Sequence, residues 1–237
     1  MSEKTKIFKR SHNSNKPFLL SYPISNSTPM YGNENLPIIK SLKKIINGDS
    51  CNMIDVSFSN HTGTHIDCPF HFDQNGKKLT EYPVDFWSVK SVELIELKVL
   101  PEPGTLITPE LLFDLIGSQR NYRSKAIILK TGYGKRRGTK AYWENPPGID
   151  PECYNFLRTN FPAADFFGFD LISLTSYAQR EIGKKAHKKF LVCEKPILVI
   201  EDMNLSTIPP NGIKNILIAP LFIEDADGSP CTIFANL

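Results

Sequence analysis

The sequence predicts an α/β fold in which strands and helices interleave along one domain. Three observations lead to this prediction. Short apolar runs with strand character alternate with amphipathic stretches that open on helix-start signals. The 237 residues suit a single domain, and a hydrophobic fraction of 41% supplies a sizeable core. The chain also shows no internal repeat, low-complexity tract or domain boundary.

The N-terminal part of the chain contains two different patterns. Residues 1–16 are rich in Lys, Ser and Asn, and they predict a flexible arm that leaves residues 17–237 as the domain. Within the domain, apolar residues at helical spacing predict a helix over residues 38–46. The Asn-Gly-Asp that follows would end this helix.

The other elements follow in order from the same kind of pattern. Alternation and short buried runs predict strands at residues 17–22, 51–59, 92–100, 126–130, 167–171, 197–200, 216–218 and 231–234. Helix-start residues before an apolar period predict helices at residues 108–116, 150–161 and 176–190. Gly and Pro over residues 132–148 predict a mobile surface loop, with a lid over the functional site as an alternative.

Charge and cysteine content limit the partners and the compartment. A net charge of +3 is too small to favour nucleic acid or an acidic membrane surface. Five cysteines with no C-x-x-C spacing argue against a disulfide framework or a cysteine zinc site. No run approaches the ~18 apolar residues of a membrane span, and the polar N-terminus lacks a signal-peptide core. We therefore expect a small-molecule substrate and a cytoplasmic setting.

The residues with catalytic chemistry concentrate in the segment N-H-T-G-T-H-I-D-C-P-F-H-F, residues 60–72. His61, His65, Asp67 and His71 all have odd numbers, so an extended chain would place them on one face. The first two are also one helical turn apart, but the intervening glycine and threonines disfavour a helix. Imidazoles and a carboxylate are ligands for Zn²⁺ or Mn²⁺. The segment predicts a metal site rather than a solvated edge, with His71 free to move protons.

This segment resembles the signature of the cyclase family, which includes bacterial kynurenine formamidases and isatin hydrolase-like enzymes. Further stretches resemble the family in chain order, at residues 20–24, 29–31, 129–132, 168–173, 186–187, 200–201, 219–221 and 227–230. The resemblance covers nearly all of residues 17–235. It implies an α/β domain of the swivelling β/β/α kind, with a mixed, barrel-like β core flanked by helices.

The resemblance also implies a centre of two divalent ions, with Zn²⁺ as the first expectation and Mn²⁺ as an alternative. In the family pattern the metal ligands are His61, His65, Asp67, His187 and Glu201, with both carboxylates bridging the ions, and His71 is the general acid/base. Residue patterns alone do not single out His187 or Glu201, because a charged helix run and a carboxylate after a strand are usually solvated.

Candidate substrate-binding residues are the aromatic side chains of Tyr31, Phe70 and Phe72, although aromatic residues belong more often to a core. The family implies hydrolysis of an amide C–N bond, with N-formylkynurenine, cleaved to kynurenine and formate, as the first substrate. Two alternatives remain: hydrolysis of another cyclic or acyl substrate, such as an isatin-like lactam or a lactone, and metal binding without turnover. Retention of His71 argues against the last. The family also implies a homodimer or higher homo-oligomer.

Overall fold

The computed structural model describes residues 17–116, 122–206, 208 and 212–236. The arm predicted at residues 1–16 lies outside the described residues. The strands are β1 (Phe18–Leu19), β2 (Ile38–Lys43), β3 (Met53–Ser57), β4 (His65–Asp67), β5 (Ser88–Val89), β6 (Val92–Glu96), β7 (Leu106–Ile107), β8 (Ala126–Lys130), β9 (Gly148–Ile149), β10 (Phe166–Phe169), β11 (Leu198–Glu201), β12 (Asn215–Pro220) and β13 (Gly228–Asn236). The α-helices are α1 (Pro109–Ile116), α2 (Lys140–Glu144), α3 (Cys153–Asn160) and α4 (Arg180–Leu191).

A mixed sheet of nine strands organises the molecule. Its order is β5-β12-β13-β4-β11-β10-β8-β6, with β1 paired to β13. Strands β11, β10, β8 and β6 pair with one another in parallel. The other pairs of this sheet are antiparallel. Central strands β8 and β10 are buried on both faces, which accounts for their continuous apolar runs. This nearly closed, barrel-like sheet with flanking helices confirms the predicted fold class.

Two hydrophobic clusters pack on the sheet, and one of them fixes α4 beside the functional site. Phe190 of α4 stacks on Phe167 of β10, with ring centroids 5.5 Å apart. Ala186 is also fully buried in this cluster. The buried face of α4 therefore lies against the parallel strands, and His187 is carried on that same face.

The helix predicted over residues 38–46 is wrong. This segment forms β2, which pairs antiparallel with β3 in a separate two-stranded sheet, and then a short 3₁₀ turn at Ile45–Asn47. The apolar spacing fits a helix, but the side chains of β2 are mostly exposed, and no apolar surface among the described residues covers them. The Asn26 side chain instead binds both backbone polar groups of Ile39, which holds the chain extended. The strand predicted at residues 51–59 is confirmed as β3.

The segment 132–148 is more ordered than the predicted surface loop. It contains a 3₁₀ turn at Tyr133–Arg136, α2 and β9. Tyr133 and Tyr142 are fully buried, and Arg137 pairs with the buried Asp202. The glycines set the turns, but the tyrosines anchor the segment to the core.

Most other predicted elements are present with shifted ends, while strands β4, β5, β7 and β9 were not among the predicted strands. The five cysteines, all within the described ranges, are free thiols. No helix in the described part of the chain is long and apolar enough to cross a membrane.

Candidate metal centre

Strand pairing brings the motif together with the distant Glu201. β4 lies between β11 and β13, and its register places His65 opposite Glu201 and Asp67 opposite Gly228. Because side chains alternate along a strand, His65 and Asp67 project to one side while Ile66 enters the core. The centre is thus built at the end of buried β11, where the chain leaves the sheet.

The prediction of a common extended face holds for only part of the motif. His65 and Asp67 share β4, but His61 lies in a turn and His71 ends a 3₁₀ turn at Pro69–His71. Gly63, with φ of +64°, reverses the chain between the first two histidines. All four side chains still converge, because these turns fold back onto the strand.

Three imidazoles meet two buried carboxylates in this centre. Asp67 Oδ1 lies 2.8 Å from His61 Nδ1 and 3.4 Å from His65 Nε2. Asp67 Oδ2 lies 3.6 Å from His187 Nε2. His65 Nε2 and His187 Nε2 each also lie 3.4 Å from a carboxylate oxygen of Glu201. Both carboxylates are therefore shared between imidazoles, the arrangement that the family pattern assigns to bridging ligands.

Two carboxylates buried beside one another need positive charge near them, and the pKa shifts in the centre have that direction. Burial opposes a charge on His61 and on His187, but the neighbouring carboxylates outweigh it and raise the pKa of each to about 10. Burial and Asp67 raise the pKa of Glu201, but His187 and His65 bring it down to about 2. The pKa of Asp67 is likewise held well below its usual value, since His61, His187 and His65 outweigh its burial.

Backbone carbonyls orient two of the imidazoles. His65 Nδ1 lies 2.8 Å from the carbonyl oxygen of Gly63, and His187 Nδ1 lies 3.0 Å from that of Gly183. A carbonyl only accepts, so each Nδ1 carries the proton and each Nε2 is left for the centre. The hydroxyl of Thr175 adds a further contact to His187 Nδ1 at 3.0 Å. With the proton fixed on Nδ1, the Nε2 atoms of His65 and His187 are the nitrogens that can bind a metal ion.

Glu201 is held by the segment that follows β10. The Ser173 hydroxyl and the Leu174 backbone N–H donate to Glu201 Oε1 at 3.1 and 2.6 Å. Asp170, in the family-like stretch at residues 168–173, does not enter the centre and accepts instead from the backbone N–H and the hydroxyl of Thr131, both at 2.7 Å. The segment therefore has a supporting role in placing the carboxylate.

Sequence reasoning did not select Asp227 as a functional residue. Its Oδ2 lies 3.0 Å from His61 Nε2 and 2.5 Å from His71 Nδ1, and Asn60 donates to its other oxygen. Asp227 precedes β13, whose pairing with β4 carries it to the motif. The available signal was its place in the C-terminal block at residues 227–230, which resembles the family, yet a lone aspartate before a glycine is typical of a turn.

A cavity of about 470 Å³ opens onto the centre. Two of the three aromatic residues predicted to bind substrate, Tyr31 and Phe72, line it together with Glu34, Tyr177, Arg180 and Lys184. Phe72 stacks on the His187 imidazole, with centroids 4.9 Å apart. Phe70, the third aromatic candidate, is not part of the cavity wall, and its ring lies 5.0 Å from Lys78 Nζ.

The predicted ligands and the predicted proton carrier His71 therefore occupy one compact region. Single donor atoms of His61, Asp67 and His71 lie within 4.8 Å of one another, and so do those of His65, Asp67 and Glu201. Asp67 belongs to both groups, and His187 faces both carboxylates. The donor set of imidazoles and carboxylates, without a thiolate, fits divalent ions such as Zn²⁺ or Mn²⁺.

Comparisons with known proteins identify the family and the fold. The family model "Cyclase: Putative cyclase" matches residues 18–175. A kynurenine formamidase from Geobacillus thermodenitrificans (strain NG80-2) is 30% identical over 182 residues, covering 76% of this chain and 78% of that protein. Among solved structures, isatin hydrolase A from Labrenzia aggregata bound to benzyl benzoate is 20% identical, covers 94% of both chains and has a TM-score of 0.76. A "predicted metal-dependent hydrolase from Bacillus stearothermophilus" is 19% identical, covers 94% of this chain and 98% of its own, and has a TM-score of 0.71.

Proposed function

Because the chain belongs to the cyclase family, we propose that it is a metal-dependent hydrolase of C–N bonds that cleaves an N-aryl formamide. N-formylkynurenine, cleaved to kynurenine and formate, is the leading substrate. The observation that carries the proposal is the buried carboxylate pair of Asp67 and Glu201, shared among three imidazoles. The name of the Geobacillus relative, kynurenine formamidase, supports this reaction.

Two divalent ions fit the donor set, with Zn²⁺ as the first candidate and Mn²⁺ as the alternative. The residues that would hold them are His61, His65 and Asp67 on one side and His187 on the other, with Asp67 and Glu201 shared. Such ions supply a water of lowered pKa and polarise the substrate carbonyl. The need of the buried carboxylates for positive charge supports this assignment.

His71 is the proton carrier of the proposed reaction. Its Nδ1 faces Asp227, so its Nε2 is the atom left to exchange a proton with the substrate. Hydrolysis adds water to the formyl carbon and breaks the C–N bond. His71 takes the proton that the attacking water loses and gives it to the leaving aniline nitrogen, and the formic acid that departs ionises to formate. Phe72, edge-on to His71 with centroids 4.7 Å apart, limits the motion of its ring.

The shape of the cavity supports an aryl substrate. Tyr31 and Phe72 line the cavity beside the centre, and Tyr31 meets Tyr177 edge to face with centroids 5.2 Å apart. Rigid aromatic walls favour a flat aromatic ligand. Burial raises the pKa of Tyr31 to about 12, against the smaller opposing effect of Arg180, so its hydroxyl stays neutral.

We also propose that the protein is a homo-oligomer, with a dimer as the simplest form. The hairpin of β2 and β3 stands apart from the main sheet and exposes Leu42, Ile46 and Ile54 at 58, 90 and 60%. An isolated two-stranded sheet with apolar side chains in water has marginal stability, which a second copy would correct. The five free cysteines support a reducing, cytoplasmic compartment.

Elemental analysis and hydrolysis assays on one preparation test the proposal. Near two divalent ions per chain, with turnover of N-formylkynurenine that a chelator abolishes, is the expected result. Preference for isatin or a lactone over the formamide would replace the substrate while keeping the hydrolase. Absence of metal after reconstitution would sink the central claim.

The His71→Ala variant tests the assignment of the proton carrier. It should retain the metal content of the wild type, because His71 lies outside the proposed ligand set, and should lose roughly 10²–10⁴-fold in kcat. Elemental analysis and steady-state kinetics measure the two effects separately. Unchanged kcat would remove the acid/base role from His71.

A further inference from the structure

We propose that the mouth of the cavity binds the charged head group of an α-amino acid, with Arg180 contacting its carboxylate and Glu34 its ammonium group. The inference rests on the proposed function and deepens it, since it assigns residues to the recognition of the amino-acid tail of the leading substrate. Three features of the cavity wall carry it: the spacing along α4, the availability of Arg180, and the presence of an opposite charge.

The first feature is a row of residues along α4. Arg180, Lys184 and His187 follow one another at intervals of four and three residues, which places them on one face of a helix, and all three line the cavity. A rise of ~1.5 Å per residue separates the first from the last by roughly 10 Å along the axis. If the amide of a ligand reacts beside His187, the part of the ligand that reaches Arg180 lies several bonds from that amide. A negatively charged group at that position would pair with the guanidinium. Isatin carries no such group.

The second feature is the state of the Arg180 guanidinium. It lies 3.8 Å from the ring centroid of Tyr177, a stacked position that orients its plane. No carboxylate in the part of the chain that the structure describes forms an ion pair with it. Lys184, in contrast, pairs with Glu181 at 3.0 Å. Arg180 also interacts with the Tyr31 hydroxyl and lowers its pKa, but it has no carboxylate partner among the described residues, so its guanidinium can meet a planar carboxylate.

The third feature is Glu34 on the same cavity wall. It follows directly after the 3₁₀ turn at Tyr31–Asn33, so its position is tied to the aromatic wall. Glu34 forms no ion pair with Arg180 or Lys184 within 4 Å, although all three border one cavity. The Glu34 carboxylate and the Arg180 guanidinium thus face the cavity as separate opposite charges, which matches the two charges of a zwitterion. An uncharged ligand would pair with neither group.

Kinetics with two formamides test the subsite. N-formylkynurenine carries the amino-acid tail, and 2-formamidoacetophenone keeps the aryl ketone and the formamide but lacks the tail. The Arg180→Met variant should raise KM for the first at least about tenfold, the loss typical of one charge-assisted contact, while kcat stays within about twofold. KM and kcat for the second should both stay within about twofold. Glu34→Gln should show the same selectivity with a smaller rise.

Matched variants control for changes in the helix. Lys185→Met removes a neighbouring exposed charge of α4 that lies outside the cavity wall and should leave both substrates unaffected. Arg180→Lys should recover part of the lost affinity, because it keeps the charge but loses the planar fork. Equal losses on both formamides, or no loss on either, would overturn the subsite.

Calorimetry with kynurenine separates failure of the subsite from failure of the proposed function. Kynurenine retains the amino-acid tail and needs no turnover to bind. Arg180→Met should weaken its binding to the metal-loaded protein at least about tenfold, whatever bond the enzyme cleaves. If no formamide or lactam is hydrolysed yet this weakening is observed, the subsite stands and the proposed reaction falls. No measurable binding of kynurenine to the wild type would overturn the subsite itself.

Discussion

Asp227 joins two histidines that have different roles. One carboxylate oxygen contacts both His61 Nε2 and His71 Nδ1, while Asn60 holds the other oxygen. His61 uses its second nitrogen to face Asp67. A carboxylate behind a ligand imidazole fixes the ring orientation and raises its basicity. We infer that Asp227 positions both a proposed ligand and the proposed proton carrier without touching the substrate.

Removing the charge of Asp227 should therefore lower turnover more than metal content. We expect Asp227→Asn to reduce kcat by about 10–100-fold, the loss typical of a disrupted outer partner, while keeping most of the bound metal. Steady-state kinetics together with elemental analysis of the same sample measure both effects.

Asp225→Asn is the matched control, because Asp225 lies two residues away and pairs only with Lys78 among the interactions that the structure describes. It should behave as the wild type. Equal kcat values for Asp227→Asn and the wild type would show that Asp227 does not position His71.

The position of α4 depends on one glycine that faces the loop after β10. A Cβ at Gly183 would lie 2.0 Å from Thr175 Cγ2 and 2.3 Å from Thr175 Cβ, so the helix and the loop approach more closely than any larger residue permits. Both residues also contact His187 Nδ1, through a hydroxyl and a carbonyl. The close approach is thus the structural reason that His187 points at the carboxylates.

Substitution of Gly183 by Ala should separate the helix from this loop. We expect a loss of about 1–3 kcal/mol in the free energy of unfolding, since the clash involves the Thr175 Cβ and not a flexible chain end. Bound metal should fall toward one ion per chain as His187 loses its orientation. Denaturant unfolding and elemental analysis would detect these changes.

The exposed Lys185→Ala variant on the same helix should stay within about 0.5 kcal/mol of the wild type. If Gly183→Ala kept both stability and metal content, the close packing would have no role in the centre.

How far the sequence predicts each element depends on what stabilises that element. Strands β8 and β11 are predicted well, because an apolar run buried on both faces leaves a local pattern. The helix predicted at residues 38–46 is wrong, because the apolar spacing fits a helix but strand pairing and the Asn26 side chain determine the conformation. Glu201 gives no local signal either, because only the antiparallel pairing of β11 with β4 brings it to His65.

The exposed hairpin is a property of the whole molecule, because nothing in the described part of one chain covers it. If a second copy covers the hairpin, Leu42→Lys with Ile54→Lys should convert the proposed dimer to monomer by placing charges in an apolar interface. Light scattering coupled to size-exclusion chromatography would report the mass.

Val84→Lys is the control, since Val84 is 86% exposed in a different part of the surface. It should leave the mass unchanged. A wild-type protein that is already monomeric at assay concentrations would contradict the proposed assembly.

The proposed metal centre joins elements that are far apart along the chain, so its occupancy should affect global stability. The proposed ligands lie in β4, α4 and β11 and in the turn before β4, and the raised pKa values of His61 and His187 let protonated imidazoles balance the buried carboxylates when no metal is bound. The chelated protein should therefore still fold, but less stably.

Ions at a thousand times their Kd contribute about 4 kcal/mol to the free energy of unfolding, which corresponds to a fall in Tm of roughly 10 °C on chelation. Calorimetric scans before and after chelation measure it, and Glu201→Gln should show a smaller difference because it weakens the bridge. Identical Tm values with and without metal would mean that the ions, if bound, do not hold these elements together.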